Sequence, residues 1–425
     1  MAFLSNFKST VLLWVLLFNA CGNHRAPDKK NLGAVITGTE KKDTSIIVGA
    51  NRTEIYLPIL KRKKVGVIAN QTSIIFKNTN NTKHKPDDTI DEPYTHLIDS
   101  LVSHGIDIKK VFAPEHGFRG DVDAGEAVAD GLDTKTGLPL ISLYGKNKKP
   151  SPEQLEGLDI IVFDIQDVGV RFYTYIATLQ LAMEACAQAK IPMLVLDRPN
   201  PNGHYVDGPT MEEEHTGFLG MNTIPLVYGM TIGEYARMIN EEGWLKEGIR
   251  VDLTVIKNKN YTHDTPYSLP VRPSPNLPND VSINLYPSLG LFEGTQINAG
   301  RGTEHQFQRY GAPFLDSVKY GFRYRPHPNF GSKHPKHKGE ICYGKDLSLL
   351  NTRMSNVSLE WLIDAYTHAN DPSLVFVKEG FTKHAGTEKL QRQIEQGLSE
   401  TEIKKTWQAD LRVFRKVREP YLLYD

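Results

Sequence analysis

Between Val65 and Ile256 short apolar runs alternate with stretches of helical periodicity. Five of the runs are "VGVIA" (Val65–Ala69), "KKVFA" (Lys109–Ala113), "LPLISLY" (Leu138–Tyr144), "DIIVF" (Asp159–Phe163) and "PMLVL" (Pro192–Leu196). They are nearly continuous in apolar character, the pattern of strands covered on both faces. "VDLTVI", from Val251, alternates as a half-covered strand does. Between the runs, Leu97 and Leu101 precede a stop at Gly105, and Ser151-Pro152 with Gln154 marks a capped helix start. Ile176, Leu179, Met183 and Cys186 recur at helical spacing, and Thr231 with Glu234 reads as a second capping box. Strand–helix alternation of this kind predicts an α/β fold with a doubly wound, mostly parallel sheet.

The polar stretch "KNKNYTHDTPYS" (Lys257–Ser268) is the best place to divide the chain. The expected domains are residues 46–262, carrying the sheet, and a smaller C-terminal α/β domain over 263–425. The latter has strand-like "RYRPH" and "GEICYG", a helix from Ser358, and a closing helix with Ile403, Trp407, Leu411 and Phe414 on one face.

Composition adds little until the N-terminus. The 425 residues carry 50 Lys+Arg against 50 Asp+Glu, so overall charge gives no argument for nucleic acid or an anionic membrane surface. Residues 1–21 differ: Lys8 precedes the apolar run "VLLWVLLF", too short to span a bilayer but suited to a secretion signal. Cys21 after Ala20 resembles a bacterial lipoprotein cleavage site, so export and lipidation at Cys21 are expected, with residues 22–45 as a flexible tether. Only Cys186 and Cys342 remain, which implies no disulfide framework.

Parallel sheets bind ligands beyond the carboxyl ends of their strands. Here those ends run into "NQTS" (from Asn70), "PEHGFRG" (with Glu115, His116 and Arg119), "DIQDVGVRFYTY" (Asp164–Tyr175) and "DRPNPNG" (with Asp197, Arg198 and Asn200). Each alone is an ordinary turn composition; four on one sheet edge predict a polar cleft. There is no GxGxxG after the first strand, no Walker sequence, no HExxH, no paired CxxC and no GxSxG. No cofactor and no metal is therefore expected. Carboxylates beside arginines and aromatics suit a sugar. Glu115, at a strand end behind the apolar "AP", is the candidate general acid, because an apolar wall disfavours the charged form. Asp164 and Asp167 are the candidate second catalytic groups, with Asp197 behind them. Arg119, Arg171 and Arg198 suggest a carboxylate on the substrate.

"FAPEHGFRGDVDAGE", "DIQDVGVRFYTY", "DRPNPNG", "LFEGTQINAGRGTEHQFQRYGAPF" and the terminal "YLLY" resemble the NamZ-type exo-β-N-acetylmuramidases of bacteria, in the same order from Lys64 to Tyr424. The resemblance implies a Rossmann-like first domain, a site in the cleft against the second, and release of non-reducing-end N-acetylmuramic acid from peptidoglycan glycan fragments. The family's "PEHG" glutamate, proposed as catalytic, falls on Glu115. The lactyl carboxylate of that sugar would explain the arginines. Its acetamido carbonyl would serve as nucleophile, with Asp164 or Asp167 orienting it; a tyrosine nucleophile, Tyr173 or Tyr175, is a third option. Glu293, Asn298, Arg301 and Glu304 are expected to close over the sugar from the second domain. Two other functions compete: a muropeptide-binding lipoprotein without catalysis, and a metal-dependent deacetylase or amidase.

Overall fold

The computed structural model describes residues 45–77, 93–115, 117–119, 130–377 and 379–425. The expected signal, Cys21 and His116 lie outside them. Ser45–Asp425 forms one compact unit.

Strands are β1 (Lys64–Ala69), β2 (Ile74–Phe76), β3 (Tyr94–His96), β4 (Asp107–Ala113), β5 (Gly131–Leu132), β6 (Pro139–Ser142), β7 (Ile160–Asp164), β8 (Met193–Leu196), β9 (Asp207–Thr210), β10 (Pro225–Val227), β11 (Leu253–Ile256), β12 (Arg309–Ala312), β13 (Phe322–Tyr324) and β14 (Cys342–Asp346). The central sheet has seven strands in the order β11-β8-β7-β1-β4-β6-β5. All its neighbours are parallel except β5, which pairs antiparallel with β6 at the edge. From β1 the chain winds outward through β4 to β6, then returns to β7 on the other side of β1 and winds out through β8 to β11. This is the Rossmann order, with its switch point between β1 and β7.

The apolar runs face two cores. On β7, Ile160 and Val162 enter one, while Ile161 and Phe163 enter the other; Leu194/Leu196 and Met193/Val195 on β8 divide the same way. The strands therefore read as continuous because both alternating faces are buried. One core is closed by helices α1 (Thr53–Leu60) and α2 (Leu97–Ser103). Against the larger lie α3 (Pro152–Leu155), α4 (Tyr175–Ala189) and α5 (Ile232–Glu241). Ser151 and Thr231 make the expected capping boxes.

The second domain is a three-stranded antiparallel sheet, β12-β14-β13, with helices α6 (Asp280–Leu289), α7 (Glu360–Thr367), α8 (Gly380–Ala385), α9 (Lys389–Glu395), α10 (Glu400–Thr406) and α11 (Gln408–Arg418). The closing helix is two helices broken at Trp407, yet Ile403, Trp407, Leu411 and Phe414 are all buried in the larger core. That core is continuous from β7 to Tyr421, so the two sheets share it.

Candidate active site

Glu115 follows β4 by two residues and is half-buried. Its Oε2 accepts a 2.7 Å hydrogen bond from Thr174 Oγ1, in the loop between β7 and α4. Its backbone carbonyl accepts from the Tyr175 hydroxyl at 3.4 Å, and that hydroxyl accepts from Asn70 Nδ2 at 2.9 Å. The segment after β7 thus bonds Glu115 directly, and the β1 end joins it through Tyr175, at the switch point. Tyr144, beyond β6, lies against it as well: burial, then the Glu115 charge, pushes that phenol's pKa up. Among the described residues no cation is ion-paired with the Glu115 carboxylate.

The second domain reaches the same place. Tyr173 donates to Pro273 O at 2.6 Å, and Tyr173 and Tyr175 pack edge to face at 4.8 Å between ring centres. Burial holds both phenols far on the neutral side, which opposes the phenolate a tyrosine nucleophile needs. Arg301 pairs with Glu293 through Nη1 at 2.5 Å, its Nε is buried without a partner, and its charge is close enough to be stabilised by Glu115. Asn298 holds the loop, donating to Arg301 O at 3.0 Å and Lys336 O at 3.1 Å. Glu304 is exposed on that loop.

The three acids after β7 and β8 differ in their surroundings. Asp164 is fully buried in a two-pronged pair with Arg198, at 2.6 and 2.8 Å, and Arg198 Nη2 also donates to Ile74 O at 2.9 Å. Both charges are consumed by each other, so neither is free for a sugar. Asp197 accepts from Thr231 Oγ1, Tyr424 OH, Gly233 N and Arg198 N at 2.6–3.0 Å, which fixes the start of α5. Burial, with Glu234 close by, pushes its carboxyl up to about 7. Asp167 is the exception. Its Oδ2 accepts from the Tyr228 hydroxyl and from Gly169 N, but its buried Oδ1 has no partner. Burial raises its pKa to about 6 against the pull of those donors.

The arginines read as substrate contacts mostly hold the fold. Arg119 forks onto Asp133 at 2.8–2.9 Å and reaches Asp99 at 3.3 Å. Arg171 is completely buried and donates to four carbonyls, Pro209, Ile224, His384 and Ala385, at 2.7–2.9 Å, strapping β9 and the start of β10 to α8. Asn200 holds its own turn, accepting from Asn202 N and donating to Met230 O, each at 2.8 Å. Of the predicted arginines, Arg301 is the one whose charge Glu115 helps to stabilise. Thr174 and Tyr144, which meet Glu115, were both within legible segments; a hydroxyl in a row of aromatics carries no signal by itself.

Among the described residues the one cluster with metal-ligand spacing is Glu212, Glu214 and His215, within 4.8 Å. Lys389 Nζ already lies 2.6 Å from Glu212.

A doubly wound sheet with a hydroxyl-held acid at its switch point, met by an acid–arginine pair from a second domain, defines a two-domain α/β protein with an acid-centred polar site. The family model described as the N-terminal part of the exo-β-N-acetylmuramidase NamZ matches residues 65–281, and its C-terminal counterpart matches 284–424. The chain belongs to this family. It is similar to the peptidoglycan β-N-acetylmuramidase NamZ of Bacillus subtilis (strain 168), with 39% identity over 387 residues, 87% of this chain and 89% of that protein. Crystal structures of two DUF1343 family proteins from Bacteroides fragilis share the fold. One has 41% identity and a TM-score of 0.79, covering 90% of this chain and 99% of that one. The other has 27% identity and a TM-score of 0.72, covering 89% and 99%.

Proposed function

We propose that this protein is a glycosidase that releases N-acetylmuramic acid from the non-reducing end of peptidoglycan glycan fragments, with Glu115 as general acid. The family and the Bacillus relative support the reaction. The observation that carries the role of Glu115 is its carboxyl group, bound by the Thr174 hydroxyl, with the Tyr144 hydroxyl against it and no described cation ion-paired with it, where the loops after β4 and β7 meet.

Leaving-oxygen protonation by Glu115 breaks the glycosidic bond as the acetamido carbonyl of the same sugar closes on the anomeric carbon; the carboxylate left behind then activates water. Asp167, whose buried Oδ1 has no hydrogen-bond partner, fits the acetamide-orienting role better than Asp164, whose two oxygens are held by Arg198. Arg301, with its unpartnered Nε, fits the lactyl carboxylate.

The test uses a chromogenic β-N-acetylmuraminide beside its glucosaminide analogue, which lacks the lactyl group. Cleavage of the first alone is expected; cleavage of neither contradicts the proposal. Arg301→Ala should erase most of that preference by raising KM for the muraminide about 10- to 100-fold, the scale of a charge-assisted hydrogen bond. Unchanged preference would exclude Arg301.

Export and lipidation at Cys21 would put the enzyme where peptidoglycan is. Cys21→Ser should abolish incorporation of labelled palmitate and release the protein from the membrane fraction; retained label would contradict it.

A further inference from the structure

Thr174 stands at the N-cap of α4, where a threonine hydroxyl ordinarily accepts a hydrogen bond from the second or third helical N–H. Here it makes no such bond. Its backbone is fixed, because Thr174 O accepts from Ala177 N and Thr178 N at 3.0 Å, while the hydroxyl turns to Glu115 Oε2 at 2.7 Å. The hydroxyl of the next residue, Tyr175, lies 3.4 Å from both the Glu115 and the Pro273 carbonyl oxygens. The backbone of Thr174 is helical (φ −71°, ψ −1°) rather than extended as in a capping residue, so its hydroxyl is not engaged by the helix and turns to the acid.

We propose that Thr174 is the positioning residue of the acid, its hydroxyl occupying Oε2 so that Oε1 is the oxygen that carries and delivers the proton. This rests on the reading of Glu115 as general acid. In the step, the Oε1–H bond breaks and an O–H bond forms on the leaving sugar oxygen. The electron pair of the anomeric C–O bond goes to that oxygen. The negative charge remains on the Glu115 carboxylate, where Thr174 already donates. Threonine is β-branched with a restricted χ1, so the donor is held in place before the charge develops.

The experiment measures kcat and KM for wild type, Thr174→Val, Thr174→Ala and Thr174→Ser on two substrates, β-1,4-linked MurNAc-GlcNAc and a dinitrophenyl β-N-acetylmuraminide. The sugar alcohol is a poor leaving group that needs the acid; dinitrophenolate leaves without it. Thr174→Val and Thr174→Ala should lower kcat/KM on the disaccharide about 10- to 100-fold, with dinitrophenyl kcat/KM, which reports bond cleavage before the water step, within about threefold of wild type, and serine should restore the disaccharide value to within about fivefold. A merely structural threonine would lower both substrates together, and that result, or no loss in either, overturns the proposal. Should valine fail to fold, alanine decides it. Glu115→Gln separates the two readings: full disaccharide activity in that variant sinks the acid itself, whereas an inactive Glu115→Gln beside a normal Thr174→Val sinks only the positioning role.

Discussion

Asp167 is the residue whose surroundings make the sharpest demand. Its carboxyl is buried, with one oxygen bound and the other unpartnered, and burial lifts its pKa to about 6 from the ordinary value near 4. A raised carboxyl pKa means that the folded state keeps a proton which the unfolded chain releases, so this group's contribution to stability falls as pH rises from about 4 to 6. Asp167→Asn can place its amide nitrogen at the unpartnered position and keep oxygen towards Tyr228 and Gly169. In urea unfolding, the variant should lose less stability than wild type between pH 4 and pH 7, by on the order of 2 kcal/mol. Equal pH slopes would contradict the assignment. The same variant should lower kcat about 10- to 100-fold if Asp167 orients the acetamide, an effect of the size of one positioned polar group.

The elements around the site are held together by charges that sequence reading assigns to substrate. Arg171 ends on four carbonyls, Pro209, Ile224, His384 and Ala385, the last two more than 200 residues away in the chain. Arg198 ends on an acid 34 residues earlier. An arginine in a strand-end loop looks the same in sequence whether it meets a sugar carboxylate or a backbone carbonyl, and only the tertiary path decides. β1, β4, β7 and β8 were legible because their apolar runs are buried along most of their length, whereas β6 and β11 are only partly covered and showed through their apolar residues alone. β5, two residues long, and the antiparallel β2–β3 pair, three residues in each strand, are too short for periodicity to show. Arg171→Met should leave those carbonyls without their donor and destabilise the protein by about 3 kcal/mol, with KM little changed in the protein that remains folded. A large KM effect without loss of stability would return Arg171 to the substrate.

At the scale of the whole molecule, the chain end closes on the sheet. Tyr424 donates to Asp197 at 2.6 Å and accepts from Asn258 N at 2.8 Å, while Leu423 N donates to Glu234 at 2.6 Å. The terminal "YLLY" is therefore a clasp on the β8 and α5 ends, not part of the polar site. Tyr424→Phe leaves Asp197 one donor short and should cost about 1–2 kcal/mol in thermal or urea unfolding, with kcat unchanged. An unaltered stability would show the clasp to be idle. The central claim concerns one carboxyl group at the meeting of the sheet and the second domain, and the most direct measurement is release of free N-acetylmuramic acid from MurNAc-GlcNAc by wild type and Glu115→Gln at equal folded concentration. The account predicts turnover by wild type and a loss of at least about 100-fold in the variant, with the disaccharide still bound. A variant that releases the sugar at the wild-type rate would contradict it.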